Sequence, residues 1–403
     1  MTLRRYATVA ATVGAVLFLA CSLAVKGGPL DSAQYGDVTY YGHYAHLMRE
    51  GQWPYRNFFD EYPPLAQPLF LGVELLPGPF FSDFKWTMVV FGIAAVGLLV
   101  ATLASAGVSR PRIAAAALTA GVAPIAAGPI YLTAYDLFPA VLVAGALLAF
   151  VHRRERLTYA LLALAVAAKV YPAVLLPLAL IESWERGGRD LARRGLVWFV
   201  GVLFLVHLPF AIAGPGGLRF SYWVQLKRGL EVESLGGSIL LVLDRLGVRQ
   251  AVLRDTAPGS KDVVGTLADA VGTLSSLVLI AAVLAVAWLY LRRRRSPLLG
   301  AAAAVTAFVA FSKVFSPQFV AWLAPLVPAA GYVASGLVLV ILLLTRVVFQ
   351  HFTTGQATTE EWIRALVWWV FVRNLVVLAL FGLLAWRLAL FRSTAGSRSQ
   401  TGR

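Results

Sequence analysis

The chain of 403 residues contains one cysteine, Cys21, so no disulfide framework can form within it. Charge is also scarce: 14% of residues are charged, and only 20 are acids against 35 bases. With 59% hydrophobic residues, the composition excludes an ordinary soluble domain. No internal repeat and no separate soluble tract interrupts the pattern. The apolar runs are continuous rather than alternating, which excludes a β-barrel. Cys21 sits late in the first apolar segment, in "LFLACSL", so that segment reads as a retained anchor rather than a cleaved leader.

What is present are apolar runs such as "FGIAAVGLLVATLASAG" and "VLIAAVLAVAWLYL". These approach the roughly 20 residues that a bilayer-crossing helix needs. The net charge of +15 is gathered in short arginine clusters between the runs, which fits cytoplasmic loops obeying the positive-inside rule. No nucleic-acid partner is expected. The predicted class is an all-α, polytopic membrane protein of about twelve transmembrane helices. It forms one transmembrane domain over residues 1–403, in the plasma membrane.

Parity fixes the threading. With the N-terminus inside, the segment 6–26 exits and the next basic loop, "SRPR" at 109–112, must again be inside. Only an odd number of crossings fits between them. The piece 64–77 is short and contains Pro68 and Pro77, so it predicts a surface helix, with 84–107 as the crossing. The first outer loop is then 27–83, carrying two surface helices near 38–50 and 64–76. Spans follow near 113–129 and 137–151, then a pair of half-length spans over 157–183 with Lys169 and Pro172 at the tip. A span at 195–213 leads to a second long outer loop, 214–262. The remaining spans fall near 264–291, 297–312, 318–333, 335–351 and 363–389. Residues 393–403 read as a disordered tail.

This threading brings the scattered polar groups to one face. Asp31, Asp37, Asp60, Glu61, Asp136, Lys169, Lys313 and Gln318 fall there, with Arg346, Gln350 and His351 near the outer end of a span. Ionisable groups at bilayer depth are expensive, so such a gathering marks a functional site unless each is a solvated loop residue. Lys169 and Lys313 each lie between an apolar span and a nearby proline. A lone lysine there seeks an anion, such as a lipid phosphate, or simply snorkels to the interface. The same face is rich in tyrosine and tryptophan, which suits either an interfacial belt or the stacking of sugar rings.

The stretch "GDVTYYGHYAHLMREGQWPYRNFFDEYPPLA" resembles the first outer loop of GT-C membrane glycosyltransferases, especially the family 87 mannosyltransferases of actinobacteria. The matching positions are Asp37, Tyr40, Gly51, Pro54, Tyr55, Tyr62, Pro63, Pro64 and Leu65. "YDLFPA", "KVYPAVLLP", "ESLGGSIL" and "SKVFSPQFVAWLAPL" extend the likeness over roughly residues 30–330. The resemblance implies an inverting transfer of a sugar, mannose above all, from a polyprenyl-phosphate donor to a lipid or glycan acceptor at the outer face.

Its implied site follows residue by residue. Asp37 is the expected catalytic base, with Asp136 second, and Asp31 if the register shifts. Lys169, Lys313 and Arg346 are expected on the donor phosphate, helped by Gln318. Tyr40, Tyr55, Tyr62 and His351 are expected on the substrates. No Asp-x-Asp pair stands in the outer loops, and a lipid monophosphate donor does not demand a divalent ion, so no metal and no cofactor is expected. Two other readings compete: a secondary transporter, disfavoured because no inverted repeat is visible, and a polymerase or ligase using lipid-linked sugars. The latter usually carries its large outer loop late in the chain.

Overall fold

The computed structural model describes residues 2–26, 37–257, 260–292, 296–354 and 359–390. His351 lies outside the residues whose side chains are described, as do Asp31 and the tail 393–403. Among the described residues the fold is all-α apart from one small sheet. Its helices are α1 Leu3–Lys26, α2 Val38–Arg49, α3 Ala66–Glu74, α4 Phe80–Ser105, α5 Arg110–Ala127, α6 Ile130–Thr133, α7 Leu137–Val151 and α8 Glu155–Ala168. They continue with α9 Leu176–Ala213, α10 Pro215–Lys227, α11 Leu235–Arg245, α12 Thr266–Arg292, α13 Pro297–Phe311, α14 Val320–Leu323, α15 Tyr332–Thr354 and α16 Thr359–Leu390. Among the described residues, six helical segments are long and apolar enough to cross a bilayer: Leu3–Lys26, Phe80–Ser105, Tyr171–Ala213, Thr266–Arg292, Tyr332–Phe349 and Ile363–Leu390.

Side-chain contacts between helix termini define two ends of the bundle. At one end Arg110 covers the Tyr6 ring, and His152 meets Ser105 at 3.1 Å. At the same end Arg186 pairs with Glu155, and Tyr290 donates to Glu182. This is the arginine end. At the other, Lys85 donates to the Lys26 carbonyl, Tyr135 to the Ala168 carbonyl, and Gln225 to Glu61.

Followed between these ends, α9 contributes two passes. Its helix is interrupted at Gly187 and Gly188, and Gly188 adopts a left-handed φ of 67°. A β-carbon is disfavoured in that conformation, so glycine permits the reversal of direction at the arginine end. The first half of α9 and α8 are therefore the two half-length passes expected over 157–183. The surface helices expected near 38–50 and 64–76 are α2 and α3.

One expected helix is not a helix. The interval 318–333 is broken into a 3-10 turn at Pro317–Phe319, the four-residue α14, and a second 3-10 turn at Val327–Ala330. It still runs the depth of the bundle. Gln318 bonds Asp37 at its start, and at its finish Arg112 and Arg387 donate to the carbonyls of Ala329 and Ala330. Irregular backbone survives at such depth only inside protein. Val320, Ala321, Leu323, Ala324 and Val327 are accordingly at most 1% exposed. The prolines that open both 3-10 turns remove N–H donors that a regular ladder would have used.

The sequence reading also contained no strand. The structure has an antiparallel sheet of β1 Leu230–Glu231, β2 Val252–Ala257 and β3 Ser260–Val264, ordered β1-β3-β2. It packs with α11 and the start of α16 around Leu230, Val263, Leu241 and Val367. Before it, α10 seats against the loop at Tyr55. A β-carbon on Gly217 would lie 1.9 Å from the Tyr55 carbonyl oxygen, so only glycine allows that approach.

Candidate active site

The site is built around the loop joining α2 to α3. Tyr55 takes a left-handed φ of 65° and its N–H donates to the Phe58 carbonyl, which turns the loop back on itself. Its hydroxyl donates to the Tyr62 carbonyl. The N–H of Leu65 donates to the Ala167 carbonyl at 3.0 Å, tying the Pro63-Pro64 segment to the end of α8. Behind this, Tyr41 stacks on Phe70 at 4.5 Å, and Tyr62 and Tyr135 meet it edge-on. Offset and edge contacts of this kind add stability beyond area burial and fix each ring's orientation.

Asp37 stands at the N-terminus of α2 against that aromatic nest. Its side chain makes no capping bond to its own helix. Its carboxylate instead accepts from the Tyr41 hydroxyl at 3.2 Å and the Gln318 amide at 3.4 Å. Burial pushes the carboxyl above its ordinary range, while Lys169, the hydroxyls of Tyr41 and Tyr62, and Arg228 pull it back. The net direction is upward.

Lys169 is presented by the end of α8, where the chain turns extended (φ −160°, ψ 140°) before the proline-containing turn Tyr171–Leu175. Its ammonium lies 2.7 Å from Asp136 and within 4.7 to 5.5 Å of the rings of Tyr135, Trp322 and Phe319. Asp136 is 1% exposed and also accepts from the Trp322 indole at 2.6 Å. The carboxylate thus holds the ammonium from behind, and the aromatic faces confine it from the sides.

These groups open into a cavity of about 1430 Å³. Asp37, Glu61, Lys169, Arg228, Glu231 and Lys313 contribute its principal charges. Leu203 of α9, Leu279 of α12, Phe308 of α13 and Phe349 of α15 supply apolar walls. Arg228 lies 3.6 Å from Glu231 and couples electrostatically to Asp37 and Glu61 as well. Lys313 donates to the Leu226 carbonyl at 3.0 Å, and partial burial draws its ammonium below the usual lysine range.

Of the residues expected from sequence, Asp37, Tyr40, Tyr62, Lys169, Lys313 and Gln318 line this cavity together. Asp136 lies behind Lys169 rather than on the wall. Tyr55 is also set back, 4% exposed, supporting Tyr62. Arg346 points elsewhere: it donates to the Ile125 carbonyl near the end of α5 and packs on Gly128. The reading from sequence did not single out Arg228 or Glu231, and Glu61 had no role there. The alternation Leu230-Glu231-Val232-Glu233 was the available signal, a strand with its acids on one side.

A family model, glycosyltransferase family 87, matches residues 59–317, more than half of the chain. The matched interval contains Glu61, Asp136, Lys169, Arg228, Glu231 and Lys313, and it begins after Asp37 and ends before Gln318. No curated protein matches the chain.

Proposed function

This chain belongs to glycosyltransferase family 87, and from that premise we propose that it transfers a sugar, mannose first among the candidates, from a polyprenyl-phosphate donor to a hydroxyl of a lipid or glycan acceptor. The observation that carries the reading is that Asp37, Lys169 and Arg228 line one cavity, electrostatically coupled, whose other walls include a broad apolar surface. Polar groups at its head meet sugar and phosphate. Leu203, Leu279, Phe308 and Phe349 offer the surface that an isoprenoid chain needs.

The step is an in-line displacement. The acceptor oxygen forms a bond to the anomeric carbon while the bond from that carbon to the phosphate oxygen breaks, and the sugar inverts. The phosphate leaves with the electron pair, and the acceptor proton passes to Asp37 as general base. The raised carboxyl makes Asp37 a better proton acceptor than a solvated aspartate, provided that it is ionised at the working pH. Lys169 and Arg228, with Lys313 near the rim, neutralise charge that accumulates on the departing phosphate. Gln318 orients the base through its bond to Asp37.

The arginine end carries Arg110, Arg112, Arg153 and Arg154, and the positive-inside rule assigns that end to the cytoplasm. The cavity, at the opposite end, then faces outward, and the reaction belongs at the outer leaflet of the plasma membrane. The test is direct. Purified protein supplied with radiolabelled polyprenyl-phosphate-mannose and a membrane-lipid extract yields a labelled product, and Asp37→Asn slows its formation by about a hundredfold or more. Release of label from no polyprenyl-phosphate sugar in a defined panel would sink the reading.

A further inference from the structure

Glu231 poses a physical problem that the transfer step above does not use. It lies on β1 directly opposite Asp262 of β3, so two acids share one face of an antiparallel pair. Like charges so placed destabilise a sheet. Both are buried, Glu231 at 6% and Asp262 at 1% exposure. Burial first, then the neighbouring carboxylates of Glu233 and Asp262, push the Glu231 carboxyl up to about 7, against the pull of Arg228 and of the Phe315 backbone N–H. One of its oxygens, Oε1, accepts from the Ser316 hydroxyl at 3.3 Å and lies 3.6 Å from Arg228. The other, Oε2, is buried and has no hydrogen-bond partner among the described residues, and the Glu231 side chain lines the cavity. An orphan buried acceptor costs on the order of 1–3 kcal/mol, a cost that a hydroxyl donated from the cavity would relieve.

We propose that Glu231 is the recognition residue of an acceptor subsite, its free oxygen accepting a hydrogen bond from a ring hydroxyl of a carbohydrate acceptor. The inference rests on the glycosyltransferase reading and deepens it. The chemistry favours a neutral polyol. A divalent cation would have to sit beside the Arg228 guanidinium and within reach of Lys313, against like charge. A second anion would meet Glu231 and Glu233. A sugar ring offers hydroxyls that donate to Glu231 and accept from Arg228 at once.

Position supports the same assignment. Ser316 contacts Glu231 and Gln318 contacts Asp37. Two trans peptide steps separate these residues, so their Cα atoms stand at most about 7.6 Å apart. Both carboxylates line the same cavity, so one extended ligand can reach the two of them. The reacting hydroxyl is at Asp37, and the sugar that bears it, or the next one in the chain, is at Glu231.

Saturation-transfer NMR on the full-length protein in detergent tests this without any donor, using methyl α-mannopyranoside and methyl β-glucopyranoside as probes. The wild type should saturate the ring protons of at least one glycoside. Glu231→Gln, which keeps the shape, and Glu231→Asp, which keeps the charge but withdraws it, should each weaken that signal tenfold or more. In the transfer assay, Glu231→Gln should raise the acceptor KM by a similar factor while kcat at saturating acceptor stays within about threefold. No saturation of either glycoside by wild type would overturn the proposal. So would unchanged saturation in a Glu231→Gln protein that elutes as a monodisperse peak, or stoichiometric manganese binding that Glu231→Gln removes. Because no donor is present, a failure of the polyprenyl-phosphate reading would leave the glycoside result standing, and the two failures are separable.

Discussion

Removing the Lys169 ammonium should damage the protein twice, and the two losses can be pulled apart. Asp136 is 1% exposed; burial raises its carboxyl above the ordinary range, and Lys169 at 2.7 Å is the chief group pulling it back toward the ionised form. Lys169→Ala strands that charge, and breaking a buried pair from one side costs roughly 3–5 kcal/mol. That is a large share of the 5–15 kcal/mol typical of a folded domain. Protonation limits the loss. Without the lysine, the folded-state carboxyl titrates well above its unfolded value, so the folded state binds the extra proton. Stability of the variant then falls as pH rises from about 4 through the raised pKa, and the deficit is larger at pH 8 than at pH 6. The double variant Lys169→Ala/Asp136→Asn removes the stranded charge and should recover most of the unfolding midpoint, measured by intrinsic fluorescence in detergent. Transfer activity should not return, because the ammonium proposed to meet the donor phosphate is still missing. Full activity in the double variant would refute the catalytic part. An unfolding midpoint in Lys169→Ala equal to wild type at both pH values would refute the structural part.

Other perturbations separate chemistry from packing. Asp37→Asn should lower kcat by about 10² to 10⁴ while donor binding, read by equilibrium partition, persists. In the wild type the acid limb of kcat/KM should lie above the ordinary aspartate range, since burial raises the Asp37 carboxyl and the ionised form is the active one. Asp60 is fully buried and its carboxyl is pushed up to about 7, so the folded state holds a proton that the unfolded chain has released between about pH 4 and 7. Stability should therefore fall as pH rises through that window, and Asp60→Asn should flatten the fall in thermal unfolding curves. Gly195→Ala would bring a β-carbon 2.1 Å from the Tyr159 ring, and should cost about 1–3 kcal/mol as α8 and α9 are forced apart.

The half-length passes over 157–183, the two surface helices and the meeting of Asp37 with Lys169, Lys313 and Gln318 could all be reasoned from arginine placement and parity. Each depends on which end a loop occupies, and charge records that. Which way a residue points around a buried helix is recorded far less well. α15 is apolar around much of its circumference, so nothing in its sequence distinguishes the wall facing the cavity from the wall facing α5. Arg346 was placed near the proper end, but its guanidinium turned toward the Ile125 carbonyl.

The broken pass from Pro317 to Ala330 shows a different limit. Its composition reads as an ordinary span, because hydropathy measures what the side chains avoid and is blind to where the backbone finds partners. Pro317, Pro325 and Pro328 signal that a regular ladder is incomplete, but only the surrounding helices make the irregular path tolerable. That irregularity has a use. A continuous helix would space Ser316 and Gln318 about 200° apart around its axis. In the observed path both reach carboxylates of one cavity, Glu231 and Asp37. The segment least legible from hydropathy is therefore the one that couples the two acids on which donor chemistry and acceptor recognition are proposed to rest.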